Sequence, residues 1–201
     1  MLTQIVANRV YDFSHQVGGR EIQGDVAVAV GPGDDFYLVV RNLPQMVVRL
    51  TIGTVPGDEE IVGQFGSKGD GDGEFVWPTG IGVGRDYNLY VTDEWLNRVT
   101  VFDRDGNYLR HWGDTGDAAG QLNGPSGIDV DSHGDLFIVD SLNHRVQKFT
   151  VGGEYLAGWG GLGDGPSEFN TPWGLTVDDQ DQVYVADHKN HRVQKFTASG
   201  E

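Results

Sequence analysis

The 201-residue chain contains no cysteine, which excludes disulfides and thiolate metal sites and leaves the redox compartment open. Basic residues are scarce: 14 Lys and Arg stand against 30 Asp and Glu, for a net charge of −16. A field of that sign repels phosphate backbones, and the cations are spread along the chain rather than clustered. Nucleic acid is therefore not an expected partner. No apolar run approaches the ~20 residues that span a bilayer, so no membrane partner is expected either. Residues 1–9 lack the basic start and long apolar core of a secretory signal, and the default expectation is a cytoplasmic protein unless a leader precedes it. Apolar periodicity of the helical kind is also missing, which argues against a helical repeat.

What the chain has in excess is glycine, 31 of 201 residues, and repetition. Pro78-Thr79-Gly80-Ile81-Gly82-Val83 returns as Pro125-Ser126-Gly127-Ile128-Asp129-Val130 and again as Pro172-Trp173-Gly174-Leu175-Thr176-Val177. The differences 125 − 78 and 172 − 125 are both 47. Asp93, Asp140 and Asp187 keep the same step, as do Arg98, Arg145 and Arg192 and also Phe102, Phe149 and Phe196. A fixed period of this length marks a solenoid, a propeller or an array. Within each copy, short apolar or alternating runs are separated by turn residues, as in Gly127–Val130, Asp135–Val139, Arg145–Phe149 and Tyr155–Trp159. Gly152-Gly153 supplies the positive backbone angles of a hairpin turn.

Four up-and-down strands per repeat describe a propeller blade. The predicted fold is all-β, a β-propeller with blades at about 24–66, 78–113, 125–160 and 172–201. The first copy is fainter: Arg41 stands where the repeated Asp falls and Met46 where the repeated Arg falls, and an enlarged turn occupies 51–60. The last copy stops where its fourth strand should begin, while residues 9–17 look like an orphan fourth strand. The expectation is that they pair with Arg192–Phe196 and close a four-bladed ring, since open edges invite aggregation. The alternative is part of a larger six-bladed ring, or a ring shared between copies.

The run Asn143-His144-Arg145-Val146-Gln147-Lys148-Phe149, repeated as Asn190-His191-Arg192-Val193-Gln194-Lys195-Phe196, resembles the NHL-repeat family of β-propellers. Asn97-Arg98-Val99-Thr100-Val101-Phe102 departs from the pattern by lacking the His. The resemblance covers about three blades well and the first loosely. It implies the fold firmly and the function weakly, because that family includes protein-binding, RNA-binding, sensor and enzymatic propellers.

The Asp/Arg pairs Asp93 with Arg98, Asp140 with Arg145 and Asp187 with Arg192 flank one loop in each blade. They are assigned a structural role as loop clamps rather than as a ring of ligand-binding charges. Some family members are zinc lyases that use histidines, which draws attention to His144 and His191. Their equivalent repeat positions fit blade stabilisation better than one metal site. Asp70 and Asp72 lie in a Gly-rich loop with a superficial calcium-loop look, but the equivalent loops lose most carboxylates and the EF-hand spacing is absent. No metal or other cofactor is expected, with calcium or zinc as the minor alternative. No Gly-x-Ser-x-Gly elbow and no phosphate loop are present, and catalytic residues are assigned to none.

Binding capacity is sought where the blades differ. The loops of one propeller face carry Trp77, Trp95, Leu96, Leu142, Trp173, His188 and Lys189, and exposed Trp is enriched at binding hot spots. Trp95 lacks an aromatic equivalent in the other blades and is the leading contact candidate. The expected function is non-catalytic: a scaffold propeller for a protein partner or for self-association. A metal-dependent lyase or lactonase-like propeller is the alternative.

Overall fold

The computed structural model describes residues 3–6, 9–12, 25–42, 44–52 and 60–201. The first blade contains β3 (Asp25–Val30), β4 (Asp35–Val40), β5 (Met46–Thr51) and β6 (Glu60–Phe65), preceded by a hairpin of β1 (Thr3–Val6) and β2 (Arg9–Asp12). A short parallel bridge, β7 (Ser67–Lys68) with β8 (Glu74–Phe75), closes the crossing to the second blade. That blade is β9 (Pro78–Val83), β10 (Leu89–Asp93), β11 (Arg98–Phe102) and β12 (Tyr108–Trp112). The bridge β13 (Asp114–Thr115) with β14 (Gln121–Leu122) leads to the third blade: β15 (Pro125–Val130), β16 (Leu136–Asp140), β17 (Arg145–Phe149) and β18 (Tyr155–Gly160). The fourth has β19 (Gly174–Val177), β20 (Val183–Asp187) and β21 (Arg192–Phe196). Each blade is an antiparallel sheet in simple up-and-down order, and the whole is an all-β propeller.

Two expectations are corrected. Arg9–Asp12 pairs with Thr3–Val6 and not with Arg192–Phe196, so the described N-terminal strand does not complete the last blade, which has three strands among the described residues. The physical reason is proximity: two residues separate β1 from β2, and a tight local hairpin closes at far less entropic cost than a ring across the chain. Residues 13–17 of the anticipated closing strand lie outside the described residues. In the first blade, Val40 pairs with Met46 where Asp93 pairs with Arg98, because the joining loop is one residue longer there. Val40, not Arg41, occupies the register position of the repeated Asp.

The core lies between blades. Tyr37, Val39 and Val47 meet Phe75, Leu89, Val91 and Phe102 of the second blade. Tyr90, Val99 and Val101 meet Leu122, Leu136, Ile138 and Phe149 of the third. Phe137, Val139 and Val146 meet Phe169, Val183, Val185 and Phe196 of the fourth. A middle blade is thus buried on both faces, which is why its second strand is buried at every residue and largely apolar.

Two kinds of glycine make this stacking feasible. Gly106, Gly153 and Gly200 have positive φ in hairpin turns, and a Cβ on them would strike Phe65, Trp112 and Trp159 of the preceding blade within 2.7 Å. On the inner strands, a Cβ on Gly80 would meet the Ser126 carbonyl oxygen at 2.3 Å. One on Gly127 would meet the Leu175 backbone nitrogen at 2.6 Å. Glycine here permits neighbouring inner strands to touch.

Candidate functional site

The face built from the blade-crossing loops and the loops joining second to third strands is set by one clamp, repeated. Arg145 donates from its guanidinium to the carbonyls of Asp117, Ala118 and Gln121. Arg192 does the same to Asp164, Gly165 and Glu168, and Arg98 to Asp70, Gly71 and Glu74. The paired aspartates face inward. Asp140 accepts from the Asn123 amide, the Asn143 side chain, Arg145 Nε at 2.7 Å and Gln147. Asp187 repeats this with Asn170, Asn190 and Arg192 Nε at 2.8 Å. Burial pushes the Asp187 carboxyl up, but these hydrogen bonds outweigh it and hold the group below its ordinary value.

The second blade differs. Among the described residues Asp93 and Arg98 form no ion pair: Asp93 accepts instead from the amides of Val76, Trp77, Trp95 and Leu96. Leu96 and Thr100 stand where Asn143 and Gln147 fix the carboxylate toward its arginine in the third blade. Without those two amide side chains the carboxylate turns to the backbone.

One of the repeated histidines acts as a tie. His144 adopts left-handed backbone geometry at the end of a 3₁₀ turn, Ser141–Asn143, and its Nδ1 accepts from the Thr171 amide at 3.0 Å. In the second blade Asn97 holds the same backbone shape, and its Oδ1 accepts from the Gly124 amide at 2.7 Å. The residue lacking from the NHL-like pattern is therefore replaced in role. His191 ends the equivalent turn, His188–Asn190, and its exposed ring has no hydrogen-bond partner among the described residues. His188 and Lys189 are exposed in that turn.

No three metal-ligating side chains converge among the described residues. Asp70 and Asp72 are exposed; Asp70 lends its backbone carbonyl to Arg98, and Asp72 lies 3.6 Å from His111. The central channel, about 480 Å³, is walled by the inner strands, with Asp129 as its single ionisable lining residue among the described residues. That carboxylate accepts from the Thr176 hydroxyl and the Val177 amide. Zinc takes at least three protein ligands, more than the described residues of this wall offer.

The structure does bring several predicted binding-face residues together. Trp77, Trp95 and Leu142, with Glu94, Asn97 and Asn123, line a cleft of about 580 Å³ between the second and third blades. Trp95 is 74% exposed and Leu142 about half exposed, an unusual display of apolar surface on so acidic a chain. Leu96 is half-buried. Burial pushes the Glu94 carboxyl above its ordinary value, with Arg41 opposing, and one carboxylate oxygen of Glu94 is buried without a hydrogen-bond partner. Trp173 sits elsewhere: the Arg41 guanidinium lies 4.9 Å from the Trp77 ring and 5.5 Å from that of Trp173. Arg41 and Glu94 were missed in the sequence. Spacing alone cannot show that loops from three blades meet at one cation.

Comparison with known proteins agrees with this architecture. The NHL repeat family matches residues 122–149 and 169–196, the two copies with the complete His-Arg motif. Protein lin-41 of Caenorhabditis elegans is 47% identical over 45 residues, which is 22% of this chain and 4% of that protein. A virginiamycin B lyase from Staphylococcus aureus, crystallised with quinupristin, superimposes with a TM-score of 0.66 at 16% identity. The match covers 99% of this chain and 60% of the lyase chain. A chain of a nidogen/laminin complex gives 0.70 at 20% identity, covering 98% of this chain and 70% of its own. This chain thus spans about 60% of the lyase's length and a small part of lin-41. At such identities the solved structures speak for the fold alone. With its period of 47, its blades stacked face on face and its paired Asp-Arg clamps, the chain is a β-propeller that carries NHL repeats at residues 122–149 and 169–196.

Proposed function

We propose that this chain is a non-catalytic binding propeller that holds a protein partner in the cleft between its second and third blades. The observation that supports this reading is the exposed Trp95, which lines a cleft together with Glu94. An indole beside a partly desolvated carboxylate suits a cationic side chain with an aliphatic stem, lysine or arginine, through ring-face attraction and charge. The net charge of −16 favours the approach of a basic segment. The kind of partner expected is a protein with an exposed basic segment, met by Trp77, Trp95 and Leu142 around one anchoring cation.

The test is binding of a randomised decapeptide set with a fixed central lysine or arginine, followed by titration of the best binder against the intact chain and Trp95→Ala. A hot-spot residue is worth about 2 kcal/mol or more, so roughly thirtyfold weaker binding is expected for the variant. Glu94→Gln weakens binding less and flattens its salt dependence. Unchanged affinity in Trp95→Ala, or a preference for acidic peptides, refutes the reading.

A further inference from the structure

The first residue after the second strand is Arg41 in the first blade, Glu94 in the second, Ser141 in the third and His188 in the fourth. In the third blade its side chain makes a tie: the Ser141 hydroxyl donates to the Pro172 carbonyl in the crossing to the next blade. Arg41 makes the same tie. Its Nε donates at 3.3 Å to the carbonyl of Pro78, which stands two periods before Pro172. A serine is enough for that task. The arginine adds a positive charge and two further nitrogens, Nη1 and Nη2, that make no hydrogen bond among the described residues.

The guanidinium is held in place by rings and not by carboxylates. Its carbon lies 4.9 Å from the Trp77 ring and 5.5 Å from that of Trp173. Burial pulls its pKa below the ordinary arginine value, and Glu94 and Asp93 oppose this through charge alone, without a hydrogen bond to it. A partly desolvated cation without a paired anion is costly to keep. Trp77, which carries this cation, also lines the cleft beside Trp95 and Glu94. One indole thus links a carboxylate oxygen of Glu94 and a guanidinium fork that both lack hydrogen-bond partners among the described residues.

We infer that Arg41 is the anion-receiving half of this binding face, its two Nη groups taking a carboxylate of the same segment whose lysine or arginine enters the cleft. The inference rests on the cleft reading proposed above and sharpens it. The partner segment pairs a cation with a nearby carboxylate and is not a uniformly basic run. A planar fork meets a carboxylate with two parallel hydrogen bonds. A phosphate offers the same oxygens, but its second charge meets more repulsion from a chain of net charge −16. The carboxylate belongs to an Asp or Glu side chain or to the end of the partner's chain.

The probes are capped decapeptides with a fixed lysine and one glutamate moved through the other positions, each matched by glutamine at the same place. A third set leaves the C-terminal carboxylate free one to three residues after the lysine, and a fourth carries glutamate without lysine. All are titrated by tryptophan fluorescence into the intact chain, Arg41→Ser and Arg41→Lys. R41S installs the residue that makes the tie in the third blade, and R41K keeps the charge without the fork. The expected result is that one carboxylate position binds about tenfold tighter than its neutral match. That gain vanishes in R41S and survives only in part in R41K, while lysine peptides without a carboxylate bind R41S no more weakly than the intact chain. Should R41S fail to fold, the partial loss in R41K decides. A gain from glutamate marks an internal segment, and one from the free terminus marks a chain end. The inference is overturned if no carboxylate raises affinity, or if the gain is equal in all three proteins. Lysine binding that still depends on Trp95 then leaves the cleft reading standing. An Arg41-dependent gain from glutamate with none from lysine upholds the carboxylate site while the cleft reading fails.

Discussion

Residues 145–149 and 192–196 have the same sequence, Arg-Val-Gln-Lys-Phe, and live in different surroundings. Val146 is fully buried and Val193 is 67% exposed. The second strands show the same contrast: β16 is buried at every residue, whereas β20 alternates buried with half-buried or exposed positions. Identical chemistry thus gives two burial patterns, and the difference comes from what stacks on the sheet. In a propeller a strand's apolarity is a statement about its neighbours as much as about itself.

The comparison can be broken most sharply with charge. Val146→Asp places an unpaired carboxylate between two blades and is expected to cost about 4 kcal/mol or more, whereas Val193→Asp stays within about 0.5 kcal/mol. Urea midpoints of the two variants decide it; equal losses would mean that the fourth blade's outer face is covered in solution. Smaller but equally diagnostic is the glycine pair. Gly127→Ala forces a Cβ to 2.6 Å from the Leu175 nitrogen and should cost about 1–3 kcal/mol, while Gly174→Ala is neutral within about 0.5 kcal/mol. If both alanines destabilise alike, something presses on Gly174.

The smallest effect is in acid. The folded pKa of Asp187 is depressed, so its contribution is present above the unfolded carboxyl value of about 3.9 and is lost as pH falls through the folded value. The urea midpoint of Asp187→Asn should fall below the parent's at neutral pH and converge with it in strong acid. A constant gap at all pH values would assign the loss to packing rather than to ionisation.

The blade pattern was legible because a 47-residue step with alternating strands has few physical solutions. The lost Asp93–Arg98 ion pair was not, since it hangs on Leu96 and Thr100, three and seven residues downstream of the aspartate. Nor was the hairpin of β1 and β2 foreseen, where a short-range pairing competes with a ring-closing one. His144 and Asn97 look like different residues at a broken motif until the crossing loops they tie are placed beside them. In the binding cleft, Trp95 stood out as the aromatic without a counterpart in other repeats. Arg41 became visible only once three loops were brought to one point.

The hairpin glycines lying under the preceding blade's aromatic ring give the molecule the overlap of roof tiles, each course held down by the one laid before it. Such a roof strips from its free eave. Opening should begin at the hairpin around Gly200, whose own fourth strand is absent among the described residues, and travel inward one course at a time. A protease applied briefly to the native chain would then cut first near residues 197–201 and leave the Gly106 turn intact longest.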